Sequence, residues 1–214
     1  MIKINTLESF IKILIVLHAT FGGIALLTGL ISMIAYKGKN LHKKSGKLFV
    51  FTMITSGTTA LLIAVLPNHE NPFLFAIGIF STYLAFTGYR ALRFKKKLVN
   101  IRIDTIIAWI MALTGIMMII LPVALTQKFN IVLGVFGIIG ISLAVQDLRL
   151  FRNKDKLKKG WLKLHIGKIM GGYISAVTAF IVVNQIIPGV YGWLAPTVIG
   201  SVFIGYWFRK VRLG

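Results

Sequence analysis

Long apolar stretches follow one another along this chain, and nearly all its Lys and Arg residues are confined to every second junction between them. Seven such stretches lie near residues 11–36, 48–66, 72–89, 105–126, 129–146, 164–187 and 190–208. Crossing about 30 Å of hydrocarbon takes about 20 mostly apolar residues in a helix. Each stretch is apolar around most of its circumference, whereas a barrel strand would alternate apolar with polar residues. Helices also satisfy their own backbone groups where no water can. The expected fold is an all-α polytopic membrane bundle of seven transmembrane helices, forming one integral membrane domain over residues 1–214. The first stretch is too long for a signal-peptide core, and Glu8 interrupts its basic flank, so it reads as a retained helix.

The direction of threading follows from the charges. Lys37, Lys39, Lys43, Lys44 and Lys47 mark one junction, and Arg90, Arg93, Lys95, Lys96, Lys97 and Arg102 the next of its kind. Arg149, Arg152, Lys154, Lys156, Lys158, Lys159, Lys163 and Lys168 mark the third, and Arg209, Lys210 and Arg212 the tail. Only Lys3, Lys12 and Lys128 fall elsewhere. The intervening turns, Pro67–Pro72, Gln127–Lys128 and Pro188–Gly189, are almost free of positive charge. Positively charged loops stay inside, so the amino terminus is expected outside and the carboxyl terminus in the cytoplasm.

This placement also decides what the formal charge of +20 means, with 25 Lys and Arg against 5 Asp and Glu. Such an excess can mark a nucleic-acid binder, but here the bases meet anionic lipid headgroups at the cytoplasmic face. The partners expected are the lipid bilayer and those headgroups, not nucleic acid. The absence of cysteine removes disulfides, thiolate metal sites and lipidation through sulfur.

The first three and last three helices share several features. Phe21-Gly22 is matched by Phe136-Gly137, Leu41-His42 by Leu164-His165, and Gly88-Tyr89-Arg90 by Gly205-Tyr206 followed by Arg209. A shift of four helices preserves orientation, which suggests a 3+1+3 plan of parallel repeats.

Small and polar residues form helical rows. His18, Gly22, Ala25, Gly29, Ser32 and Tyr36 line one face of the first helix, Gly134, Gly137 and Gly140 recur in the fifth, and Gly167 and Gly171 in the sixth. Such rows let helices approach closely in lipid. Thr52, Ser56 and Thr59 in the second helix and Ser175 and Thr178 in the sixth read either as interhelical hydrogen bonding or as the walls of a polar path. His18, about 10 Å inside the outer boundary, joins them as a candidate ligand-binding residue, or as an imidazole satisfied by Thr59, Thr178 or Asn184. His42 and His165 open inward-starting helices and are candidate axial ligands of a haem, with Lys43, Lys44, Lys47 and Lys168 placed for its propionates. Glu8, Glu70, Asp104, Asp147 and Asp155 are the only acids, and none is expected mid-membrane, so a metal site and a central carboxylate for proton-coupled transport are disfavoured. No catalytic residue is assigned, and nucleotide-binding and zinc-protease motifs are absent.

LHATFG at Leu17–Gly22 and HKKSGKLF at His42–Phe49 resemble a broad bacterial family of multi-pass membrane proteins of unknown function, whose members carry LHxxxG and then H[RK]xxG with an aromatic. The resemblance covers about the first 95 residues, and LHIGKIMGGYISAVTAF looks like the His-led helix found later in such proteins. It implies a polytopic protein of the bacterial cytoplasmic membrane and no particular reaction. Three roles remain open: binding or transport of a small molecule or ion through an interior polar site, a bis-His haem redox protein, and a non-catalytic membrane subunit.

Overall fold

Gln127 ends one helix, and Asn130 and Asn153 begin the two that follow it, by leaving the helical backbone conformation. The computed structural model describes residues 2–96 and 99–213. Over them it shows seven α-helices: α1 (Ile2–Ile34), α2 (Asn40–Ile63), α3 (Pro72–Arg90), α4 (Arg102–Thr126), α5 (Ile131–Phe151), α6 (Lys154–Val183) and α7 (Gly189–Leu213). A short 3₁₀ turn, Ala91–Arg93, follows α3, and there is no strand among the described residues. Among the described residues six helices, α1, α2, α4, α5, α6 and α7, are long and apolar enough to cross a membrane, and α3 has 19 residues. The regular structure of the described residues is all helical, which fits a multi-pass membrane protein. Lys97 of the second basic junction and the side chain of Arg212 lie outside the described residues.

The helices overrun the apolar stretches at the basic ends. α2 starts at Asn40 and α6 at Lys154, where Asn153 accepts a hydrogen bond from the Lys156 amide at 2.9 Å. Lysine is a good helix former, so the helix continues once the hydrocarbon ends. At the opposite ends, Gln127 takes a left-handed conformation with φ 55° and returns its amide to the Val123 carbonyl at 2.9 Å, closing α4. Asn130 caps α5 through the Leu133 amide at 3.0 Å.

The chain forms two compact units, residues 1–82 and 83–214, with the boundary inside α3. In unit 1, α1 and α2 pair antiparallel through two equivalent contacts. His18 Nδ1 lies 2.9 Å from the Ser56 carbonyl, and Ser56 Oγ donates back to the His18 carbonyl at 3.0 Å. His42 Nδ1 lies 2.9 Å from the Ser32 carbonyl, and Ser32 Oγ donates to the His42 carbonyl at 3.3 Å. A carbonyl only accepts, so Nδ1 carries the proton in both rings. Gly22 and Gly46 leave room for the serines: a Cβ there would stand 3.2 Å and 3.1 Å from Ser56 Oγ and Ser32 Oγ. The two helices therefore share one pattern, His18, Gly22, Thr28 and Ser32 in α1 repeated as His42, Gly46, Thr52 and Ser56 in α2. Read in opposite directions across the pair, each pattern completes the other.

This reciprocity has a direct test. His18→Ser or Ser56→His alone should cost about 1 kcal/mol in detergent unfolding, in the range of interhelical hydrogen bonds. The double exchange, which rebuilds the contact with its partners swapped, should recover at least half of the loss. A double exchange as unstable as the summed singles would show that the contacts are not interchangeable.

In unit 2, α4 and α5 meet along stripes of buried residues at heptad spacing. These are Asp104, Ala108, Met111, Gly115 and Met118 on α4, and Leu133, Gly137, Gly140, Ala144, Asp147 and Phe151 on α5. Gly115 and Gly137 are the point of closest approach, where a Cβ on either would stand within 2.8 Å of the other's carbonyl oxygen. The two glycines expected to act together in α6 serve different neighbours: Gly167 faces Phe208 of α7 and Gly171 faces Leu84 of α3. At the basic end, Ala91, Phe94, Ala108, Phe151 and Leu157 form an apolar cluster, with Trp161 packed against it and Lys95 Nζ 5.8 Å from the Trp161 ring centre.

Candidate functional site

The heptad stripes of α4 and α5 end on carboxylates, and both carboxylates are buried. Asp104 and Asp147 are each 1% exposed. Asp104 is held in a two-bond fork by Arg90 at the end of α3, with Nε to Oδ1 and Nη2 to Oδ2 both 2.6 Å. Planar guanidinium and carboxylate match in this geometry, which makes it a strong form of ion pair. The Arg90 guanidinium also stands 5.6 Å from the Phe86 ring centre.

Asp147 is paired with Lys168 of α6, whose ammonium donates to its Oδ2. Tyr83 Oη donates to the same oxygen at 2.7 Å. Lys168 Nζ completes its set with Tyr83 Oη and Thr87 Oγ1, each at 3.1 Å, and lies 4.6 Å from the Tyr83 ring centre. Thr87 Oγ1 in turn donates to the Tyr83 carbonyl at 2.6 Å. Tyr83, Thr87 and Arg90 are four and three positions apart, so one face of α3 presents all three. The two ion pairs draw on α3, α4, α5 and α6 and share α3, where Arg90 lies one turn beyond Thr87.

Asp104 lies in the first turn of α4 and Asp147 four residues before the end of α5, and both carboxylates are buried inside unit 2. The structure removes Lys168 from the headgroup bases and from the lysines offered to a haem propionate, since its three partners are inside the unit. The signal for both was periodic. Asp147 continues the row Gly137, Gly140, Ala144, and Lys168 precedes Gly172 and Ser175 by four and seven residues, so each charge lies on a face of small buried residues.

The other candidates are placed as follows. In unit 1, His18 and Ser56 engage each other, so the imidazole's partner is Ser56 rather than Thr59, Thr178 or Asn184. Thr52 and Thr59 are buried and return their hydroxyls to their own helix, to the Leu48 carbonyl at 2.8 Å and the Ser56 carbonyl at 2.8 Å. His42 is bound to Ser32. In unit 2, Ser175 and Thr178 are buried, Thr178 donates to the Ile174 carbonyl at 2.8 Å, and the Asn184 side chain donates to the Phe180 carbonyl at 2.8 Å. His165 Nδ1 lies 2.9 Å from the Gly88 carbonyl of α3, next to the Thr87 that serves Lys168. Every one of these histidines points Nδ1 at a backbone carbonyl of another helix, which fixes its ring and tautomer. No group of three His, Asp or Glu side chains able to hold a metal ion occurs among the described residues.

Comparison with protein-family models, with curated proteins and with solved structures finds no match to the chain.

Proposed function

We propose that the chain is a seven-span protein of the bacterial cytoplasmic membrane, amino terminus outside and carboxyl terminus inside, that binds and moves a small solute together with a proton. The site is the Asp147, Lys168, Tyr83 and Thr87 cluster. Two features support the threading: the strict alternation of basic junctions, which suits anionic headgroups on the cytoplasmic side, and the 19-residue length of α3, which suits a seventh span beside the six long apolar helices. The 3+1+3 repeat is not part of the proposal, because its matched histidines engage different helix pairs, His42 with α1 and His165 with α3.

The observation that carries the reading is the buried Asp147–Lys168 pair with a tyrosine hydroxyl on the shared oxygen. Ionisable side chains buried within membrane helices are rare and mark substrate and proton pathways. Packing alone does not call for them, since well-fitted apolar side chains in place of a buried pair are often neutral or stabilising. Tyr83 and Lys168 both donate to Asp147 Oδ2, so the acid's charge is held by two donors within the cluster. Ser175, seven positions beyond Lys168, extends the polar face along α6.

The test uses the purified chain in vesicles that enclose a pH-sensitive dye, under an inward proton gradient with the membrane potential clamped. Sodium lactate, choline chloride and sorbitol are added in turn. At least one solute class is expected to drive lumenal acidification about tenfold faster than in empty vesicles, and Asp147→Asn to abolish it. Acidification unchanged by Asp147→Asn, or none with any solute, would refute the proposal.

A further inference from the structure

The four buried charges balance, Arg90 and Lys168 against Asp104 and Asp147, but the two pairs are built differently. Arg90 holds Asp104 in a fork, so each oxygen of that carboxylate already has its own charged donor. At Asp147 a single oxygen, Oδ2, gathers both the Lys168 ammonium and the Tyr83 hydroxyl. The groups on this acid are Tyr83 from α3 and Lys168 from α6; the other charged and titratable groups on the same elements are Arg90, which pairs with Asp104 of α4, and His165, which faces the Gly88 carbonyl.

Suppose a proton reaches Asp147. The carboxylate becomes a neutral acid, its ion pair with Lys168 is lost, and the cluster carries one uncompensated positive charge. A lone buried charge is expensive, so the protonated state is stable only when an anion enters with the proton. The donors then left without a charged acceptor, Lys168 Nζ and Tyr83 Oη, are already arranged around a carboxylate oxygen. Resting on the proton-linked reading above, we infer that the solute is a small monocarboxylate, carried with one proton and with no net charge. The solute's carboxylate takes the place of Asp147 on Lys168 and Tyr83. When it leaves, Asp147 gives up its proton and re-forms the pair, so proton and anion depart together and the cluster is neutral at both ends of the cycle.

Two further features agree. Asp104 is locked, so the cluster releases one acid and not two, which disfavours a dianion. The cations of the neighbouring junctions, Arg93, Lys95, Lys96, Arg149 and Arg152, are exposed and flank the ends of α3 and α5 that carry the site, raising the local concentration of anions.

The experiment uses the same dye-loaded vesicles, with L-lactate and pyruvate as monocarboxylates and succinate, choline and sorbitol in parallel. Lactate or pyruvate is expected to accelerate lumenal acidification about tenfold over empty vesicles, at a rate unchanged when the potential is set to either sign. Asp147→Asn and Lys168→Met should both abolish it. Thr87→Val, which removes one hydroxyl from Lys168 and no charge, should raise the half-saturating lactate concentration about threefold and leave transport electroneutral. A rate that follows the potential, succinate acting as well as lactate, or Thr87→Val without effect on lactate would overturn the inference. Asp147-dependent acidification with choline or sorbitol alone would leave the proton-linked site standing and remove the monocarboxylate. Silence with every solute would remove both.

Discussion

Asp147→Ala is expected to destabilise the chain severely, and the same substitution combined with Lys168→Met to destabilise it much less. The single change leaves the ammonium of Lys168, 5% exposed, with two hydroxyls and no counter-ion. Removing one member of a buried pair costs about 3–5 kcal/mol, most of it the burden of the charge left behind. The double variant removes that charge and keeps an unbranched apolar side chain of similar length on α6, so at least half of the loss should return. Lys168→Met alone should fall between them, because Asp147 keeps the Tyr83 hydroxyl as donor. Unfolding of the purified protein in mixed micelles gives the three values. Equal losses for Asp147→Ala and the double variant would mean that the pair does not stabilise as a pair. The double variant has a second use: folded but without its acid, it should move no protons in the vesicle assay, which separates the site's structural role from its transport role.

The class of fold was legible because it depends on averages over about 20 residues, and an apolar run of that length has few other uses. Helix ends were less so. α2 and α6 continue through Asn40–Lys47 and Lys154–Lys163, where water can bind the backbone and nothing in the hydrocarbon argument requires helix. The site was legible in its parts and misread in its roles. Lys168 stands among the lysines of a basic junction, and a lysine there normally reaches for headgroups. What reverses this is one coordinate that sequence does not give: the rotation of α6, which turns Lys168 inward with Ser175 and leaves Lys163 outside. Asp147 was counted only among acids away from the middle of the membrane, while the small-residue row it extends points to a buried face. Of the three partners offered to His18, Thr59 is on the same helix as Ser56, whereas Thr178 and Asn184 belong to α6 and its cap. Ser56 wins because Gly22 lets it approach, while Thr59 is satisfied by its own backbone. The reciprocal pattern in α1 and α2 was present in the sequence throughout, but becomes visible only when one helix is read backwards.

Gly115→Ala should be among the most damaging conservative changes in unit 2, although alanine is the better helix former by about 1 kcal/mol. Its Cβ would stand 2.8 Å from the Gly137 carbonyl oxygen and 2.7 Å from Ile141 Cγ1. Ile141 can change rotamer, but the carbonyl belongs to the α5 backbone and moves only if the helices separate. Overpacking of this kind costs about 1–3 kcal/mol net, and Gly115→Leu should prevent the pair from forming. Gly160→Ala is the matched control, since a Cβ there meets nothing within 4 Å. It should keep the propensity gain and stabilise by up to about 1 kcal/mol, the opposite sign for the same chemical change. Identical effects at the two positions would mean that α4 and α5 do not approach as closely as described. The consequence reaches the site, because Asp104 and Asp147 lie on the stripes that Gly115 and Gly137 bring together. Separating those stripes pulls the two carboxylates away from bases held on α3 and α6, so Gly115→Ala should slow solute-driven proton movement even in the fraction of protein that remains folded.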